Sequence, residues 1–153
     1  MVSVEAPIVV DSKLIIPSSQ FTSEEMLRTL RNHYPGLESH RIDFEGQAGI
    51  EFDTAEIAPK DSTNLYVDLY FYMQNPEIPL ENLCSRLDNY LPQNQTQTDA
   101  VSWARSLTNL DELTSAAGLF ITGPVGIGKS HIAVGTAKEM ILQGKKAAFF
   151  HPE

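Results

Sequence analysis

The sequence predicts an α/β protein in which a parallel strand–loop–helix–strand core follows a small α+β module. Three observations support this fold class. A short apolar run at 118–122 leads into a glycine-rich loop at 123–130, as a buried parallel strand would. Apolar residues then recur at nearly helical spacing up to residue 143, and a second apolar run follows at 147–150. In the first half, apolar and polar residues alternate over 41–45 and again over 49–53, with Gly46 and Gly49 bracketing a turn, which is typical of a β-hairpin.

The composition is that of an ordinary globular protein. Apolar residues make up 42% of the 153 positions and charged residues 20%, which argues against wholesale disorder. No apolar run approaches the roughly 20 residues that a membrane helix needs. The N-terminus carries Glu5 and Asp11 without a basic segment, so it does not resemble a secretory signal. A single cysteine, Cys84, excludes an internal disulfide and predicts a reducing, cytoplasmic location.

Negative charge is concentrated in the first two thirds of the chain. The formal net charge is −9, and residues 1–99 alone hold sixteen acids against six bases. Nucleic-acid-binding surfaces normally carry an excess of basic residues, so we expect no direct nucleic-acid binding by this region. The acidic surface is more simply explained as an aid to solubility.

Residues 1–75 are predicted to form the small α+β module, whose role is unknown. Residues 1–20 predict an arm or an edge strand. Thr22 and Glu25 fit a capping box at the start of a helix that ends near Pro35. Residues 64–73 are rich in aromatic and β-branched residues and predict a strand. Its tyrosines could form a base-stacking surface, but the neighbouring Asp68 favours a packed sheet.

A proline-containing polar stretch at 74–79 predicts the boundary with a second domain, residues 76–153. A polar run at 93–98 reads as a surface connection. Thr98 or Asp99 would then cap a helix, with one face formed by Ala100, Trp103, Ala104 and Leu107.

The segment Gly123-Pro124-Val125-Gly126-Ile127-Gly128-Lys129-Ser130 fits G-x-x-x-x-G-K-[ST], the Walker A phosphate-binding loop. Gly123 and Gly128 permit positive φ angles and close approach of the backbone to phosphates. The loop amides and the following helix N-terminus attract anions. Lys129 would reach the β- and γ-phosphates, and the Ser130 hydroxyl would ligate Mg²⁺. Gly144 is placed to end the helix as its C′ residue.

Residues 83–153 resemble the start of an AAA+ P-loop ATPase of the DnaC/IstB type, the helicase loaders and transposition helper ATPases. The resemblance rests on the segment Leu87-Asp88-Asn89-Tyr90, the glutamines of the 93–97 connection and the alanine-containing helix that follows. Its most specific part is Gly-Pro-x-Gly-x-Gly-Lys-Ser-His at 123–131. Residues 1–75 do not resemble the usual N-terminus of such loaders.

The resemblance implies ATP and Mg²⁺ as cofactors and an AAA+-like fold for 76–153. It implies a replicative helicase or a transposase as partner and leaves a homo-oligomer open. The predicted nucleotide-binding residues are Gly123, Pro124, Val125, Gly126, Ile127, Gly128, Lys129, Ser130 and His131, with Ser130 also the metal ligand.

The sequence departs from the family pattern after residue 150, because no Walker B strand precedes its end at Glu153. Hydrolysis needs the Walker B acid and cationic charge on the transferred phosphate. We therefore expect the chain to bind ATP without turnover, as the front portion of a longer ATPase, and assign no catalytic residue. The alternative is a nucleotide- or protein-binding module that never hydrolyses ATP, with 1–75 as its interaction surface. A nucleotide kinase ranks lower, since such enzymes usually carry this loop near the N-terminus.

Overall fold

The computed structural model describes residues 6–21, 23–109, 120–124, 128–145 and 147–148. The chain divides into two compact units. Unit 1 comprises Met1–Cys84 with His151–Glu153, and unit 2 comprises Ser85–Phe150. In the described residues the structure is mixed α/β, with one four-stranded antiparallel sheet and four α-helices. None of these helices has the length and apolarity needed to cross a membrane.

The sheet belongs to unit 1. Its strands are β1 (Ile8–Val10), β2 (Lys13–Ile16), β3 (Glu38–Phe44) and β4 (Gln47–Asp53), in the order β1-β2-β4-β3. β3 and β4 form the predicted hairpin, but the turn lies at Glu45 and Gly46, with φ angles of 52° and 87°, and not between Gly46 and Gly49. Gly49 instead pairs with Ile42 in the ladder. Two successive left-handed residues match the twist of antiparallel strands. The first twenty residues provide an edge strand, β1, as predicted, but β2 lies inside the sheet between β1 and β4.

Helix α1 (Glu24–His33) covers the sheet with the apolar face predicted from the sequence, and Met26 and Leu30 are fully buried. Its N-cap is Ser23, whose Oγ accepts a hydrogen bond from the Met26 amide at 3.2 Å. The predicted cap at Thr22 is therefore wrong by one residue, since Ser23 offers the same hydroxyl chemistry. The helix ends before Pro35, as predicted.

The strand predicted at 64–73 is wrong, because this segment lies in helix α2 (Pro59–Gln74). Leu65, Leu69 and Met73, four residues apart, join the core beneath the sheet. Val67 and Phe71 are also buried, on another side of the helix. A helix with two buried sides places apolar residues at every second position, and this imitates the period of a strand. Pro59 at the first helical position also favours the helix.

Unit 2 contains a 3₁₀ turn (Leu87–Asn89) and two helices, α3 (Gln95–Thr108) and α4 (Lys129–Leu142). The predicted start of α3 at Thr98 or Asp99 is wrong. Its N-cap is Asn94, whose Oδ1 accepts a hydrogen bond from the Gln97 amide at 2.9 Å. Trp103, predicted on the buried face, is 67% exposed.

α3 and α4 run parallel to each other. At their C-terminal ends, Lys145 Nζ donates to the Thr108 carbonyl at 2.8 Å, and Gln143 Nε2 donates to Asn109 Oδ1 at 3.4 Å. Between the helices, Ala104 and Ile132 share a core cluster with Leu87 of the 3₁₀ turn. Both N-termini therefore lie at the same end of unit 2.

Gly144 ends α4 as predicted, with φ at 81°. Its amide donates to the Ile141 carbonyl at 2.9 Å, and the Lys145 amide donates to Met140 at 2.9 Å. These two bonds form a Schellman motif. The predicted parallel strands lie partly outside the described residues, at 118–119 and 149–150. Their described parts, 120–122 and 147–148, have no strand pairing.

Candidate functional site

The predicted phosphate-binding loop leads directly into α4. Gly128 is the N-cap, with φ at 94°, and Lys129 is the first helical residue. Gly123 also has a positive φ, 154°, and Gly123 and Pro124 are both exposed. Val125, Gly126 and Ile127 lie outside the described residues. Both ends of the loop thus have the backbone signs expected of its fixed glycines.

Lys129 folds back over the loop. Its Nζ donates to the carbonyl of Gly123 and to that of Pro124, the second bond being 2.9 Å long. The ammonium group is therefore held at the loop by backbone dipoles, which phosphate oxygens can replace. A lysine at this position bridges the beginning and end of the loop.

The first turn of α4 has no acidic residue and no side-chain cap, so its amides keep their positive potential. Ser130 lies in this turn and is exposed. The described residues contain no group of three His, Cys, Asp or Glu side chains that could hold a metal ion.

His131 contacts the 3₁₀ turn. Its Nε2 lies 2.9 Å from the Arg86 carbonyl oxygen and 2.8 Å from Asn89 Oδ1. Asn89 Oδ1 also accepts from the Arg86 amide at 2.8 Å, so both partners of Nε2 are acceptors and Nε2 carries the proton. Through its Nε2, His131 anchors the start of α4 to the turn.

Tyr90 packs on the end of the loop. Its ring meets the His131 ring nearly edge-on, at 5.2 Å between centroids. A Cβ atom at Gly128 would lie only 2.5 Å from Tyr90 Cε1. Gly128 is therefore required both by its left-handed backbone and by the aromatic ring against it.

A pocket of about 320 Å³ opens beside this ring, between the N-terminal ends of α3 and α4. Its lining residues are Asn89, Tyr90, Leu91, Gln93, Gln97, Gly128 and His131. This pocket is not predicted from the sequence, because the polar run at 93–98 indicates a surface connection and the expected start of α3 lies at Thr98 or Asp99. The available signal was Asn94, a strong N-cap residue followed by a helix-compatible run.

Unit 1 has a larger and more apolar cavity, of about 720 Å³, between β1, β2 and the start of α2. Its only cationic lining residue, Lys13, pairs with Glu51 at 3.5 Å. No sequence motif maps to this cavity, whereas the smaller pocket adjoins the phosphate-binding motif. The smaller pocket is therefore the better candidate site.

Comparison with protein-family models, with curated proteins and with solved structures found no match to this chain. The functional argument therefore rests on the loop, on Lys129 and on the adjoining pocket.

Proposed function

We propose that this chain binds Mg-ATP, with the phosphates on loop 123–130 and the nucleoside toward the pocket at the end of the loop. The observation that carries the proposal is the arrangement of Lys129, which lies at the first position of α4 and reaches across the loop to Gly123 and Pro124. The parallel βαβ core of an AAA+-like P-loop NTPase is part of the same proposal.

Binding of the triphosphate would exchange one set of Lys129 contacts for another. The Lys129 ammonium leaves two neutral carbonyls and gains charged phosphate oxygens, which are stronger hydrogen-bond acceptors. The amides of the first turn of α4 face the same phosphates. Ser130 would supply one oxygen to Mg²⁺, which bridges the phosphates.

The pocket begins at Gly128, at the end of the phosphate-binding loop. Its volume of about 320 Å³ lies at the lower end of the range for small-ligand sites. Tyr90 supplies an aromatic wall and Gln93 and Gln97 supply amides, a combination suited to a heterocyclic base. A nucleoside triphosphate is therefore a better fit than an isolated phosphate.

The proposal covers binding and does not extend to turnover. Hydrolysis needs an acid that helps to hold Mg²⁺ and to position water. Among the described residues, none of those that line the pocket carries a carboxylate. A helicase or transposase partner, assembly into a homo-oligomer and a cytoplasmic location follow from the resemblance and from the single cysteine, and they remain proposals.

The test is a thermal-unfolding titration of the full chain with Mg-ATP. A ligand that binds only the native state stabilises it by about 2.7 kcal/mol at 100 times its dissociation constant. We expect this shift in the wild type and in Arg105→Ala, which removes an exposed positive charge from α3. Lys129→Ala should lose most of it. A Lys129→Ala variant that keeps the full shift, or a cooperative wild-type melt without any shift, would refute the proposal.

A further inference from the structure

The orientation of the Gln97 side-chain amide in the pocket is set by a hydrogen bond from the backbone of Gln93. Gln97 is the third residue of α3, is half-buried and lines the pocket. Its Oε1 accepts from the Gln93 amide at 2.7 Å, and its own backbone amide donates to Asn94 Oδ1 at 2.9 Å. The first bond holds the Gln97 side chain against the segment that precedes α3, with Oε1 facing the Gln93 amide.

We propose that Gln97 determines base specificity in this pocket, by donating from Nε2 to an acceptor on the base. This inference rests on the proposed nucleotide binding. Because Oε1 is held by the Gln93 amide, the side-chain amide of Gln97 is fixed in orientation and its NH₂ group is directed away from Gln93. The two donors of this NH₂ group select for an acceptor. The base must therefore present a ring nitrogen or a carbonyl oxygen to Gln97, and an amino group in that place is disfavoured.

Two other side chains of the pocket also carry an amide. Asn89 Oδ1 accepts from the Arg86 amide and from His131 Nε2, which holds the Asn89 side chain at the 3₁₀ turn. Gln93 is exposed, whereas Gln97 is half-buried. Hydrogen bonds to half-buried groups discriminate more strongly, because a mismatched ligand leaves the protein group without a partner.

Adenine carries acceptors at its ring nitrogens and a donor at its amino group. If the base is adenine, one of its ring nitrogens therefore accepts the hydrogen bond from Gln97 Nε2. Removing that nitrogen from the ligand should lower the binding affinity by the same factor as removing the Gln97 amide from the protein.

The first experiment compares Mg-ATP with Mg-tripolyphosphate, which lacks the nucleoside, by calorimetric titration of the full chain. The key variant is Gln97→Glu. Glutamate keeps an oxygen for the Gln93 amide and is favourable at the third position of a helix, so the cap is preserved. It replaces the donor by a charged acceptor that repels the acceptor of the base.

Gln95→Glu is the matched control. Gln95 lies in the same helical turn, is exposed, and uses its amide to bond Asp99 Oδ1 at 2.8 Å, outside the pocket. The variant Gln95→Glu therefore adds the same negative charge as Gln97→Glu, at a position outside the pocket. We expect Gln97→Glu to lower the affinity ratio of ATP to tripolyphosphate by about tenfold, the effect of losing a hydrogen bond in a partly buried site, while Gln95→Glu leaves the ratio unchanged.

The second experiment identifies the acceptor with 1-deaza-, 3-deaza- and 7-deaza-ATP. We expect one analogue to bind the wild type about three- to tenfold more weakly than ATP, the cost of one neutral hydrogen bond. The neutral variant Gln97→Met should bind that analogue and ATP equally.

The outcomes separate the two proposals. If the wild type binds tripolyphosphate and ATP equally well, or if Gln97→Glu leaves their ratio unchanged, the inference fails and phosphate binding stands. The inference also fails if no deaza analogue binds the wild type more weakly than ATP and Gln97→Met with the same affinity as ATP. If the wild type binds neither ligand, the proposed function fails and the inference falls with it.

Discussion

At Gly135 the backbone of α4 lies close to the backbone at the start of the 3₁₀ turn of unit 2. A Cβ atom there would lie 2.7 Å from the Leu87 amide nitrogen and 2.8 Å from the Arg86 carbonyl carbon. Both are backbone atoms, so the conflict cannot be relieved by a side-chain rotation. We expect Gly135→Ala to push the turn away from α4.

The expected change in the free energy of unfolding has the opposite sign to the change that helix propensity alone would give. Alanine in place of an interior helical glycine normally stabilises by about 1 kcal/mol. Overpacking a close contact costs about 1 to 3 kcal/mol, and contact with backbone lies toward the upper end. We therefore expect a net destabilisation of about 1 to 2 kcal/mol from these two terms. For a chain of this length, that corresponds to a fall of about 2 to 8 °C in Tm.

The same substitution should also weaken nucleotide binding. The Arg86 carbonyl accepts from His131 Nε2, so a shift of Arg86 disturbs the contact that anchors the start of α4. Thermal unfolding without ligand measures the loss of stability, and the rise in Tm on adding Mg-ATP measures the effect on nucleotide binding. Ala133→Gly, on the exposed side of α4, is the control, and should lose about 1 kcal/mol from propensity alone without changing the ATP shift. A rise in the Tm of Gly135→Ala would refute the reasoning.

Three further predictions concern single side chains. Ser130→Ala should remove the Mg²⁺-dependent part of ATP affinity, measured by titration with and without Mg²⁺. Tyr34→Phe should lower the free energy of unfolding in urea by about 1 to 3 kcal/mol, because the Tyr34 hydroxyl donates to buried Asp68 Oδ2 at 2.5 Å. Burial, and then the charge of Glu25, raise the pKa of Tyr72 above 10.0. Folding therefore favours the neutral phenol, and its contribution to stability is complete below pH 10 and lost as the pH rises through the folded-state pKa.

Each of these has a contradicting outcome. Ser102→Ala, at an exposed position of α3, should leave the Mg²⁺ dependence of ATP affinity unchanged. Equal behaviour of the two serine variants would contradict the assignment of Ser130 as a Mg²⁺ ligand. Tyr70→Phe alters a half-buried tyrosine stacked on Tyr66, and should cost less than Tyr34→Phe. Tyr72→Phe should flatten the loss of stability above pH 10, and an unchanged slope would contradict the pKa assignment.

Elements governed by local backbone rules were predicted correctly. The β3–β4 hairpin follows from alternation on both sides of a turn that needs positive φ at Gly46. The end of α4 follows from Gly144, because few other residues adopt a left-handed C′ conformation at low cost. In the loop, the positive φ of Gly128 and the helix start at Lys129 match the motif.

Two elements were predicted wrongly, one through distant packing and one through a local cap that was not recognised. α2 read as a strand because Val67 and Phe71 are buried as well as Leu65 and Leu69, and sequence periodicity cannot tell two buried helical sides from one buried sheet. α3 began earlier than predicted because a polar run resembles a connection until its first turn is seen to be capped by Asn94.

The sequence by itself determined the Walker A pattern, the pairing of the hairpin strands and the C-terminal ends of α1 and α4, because each depends on the conformational range or hydrogen-bonding groups of a few adjacent residues. Only the tertiary structure decided what surrounds the motif. The pocket forms because α3 and α4 run parallel and bring Gln97 to Gly128. Tyr90 and Gly135 acquire their roles from the 3₁₀ turn packed against α4. Such close approaches depend on residues far apart in the chain, and no local pattern encodes the distance between them.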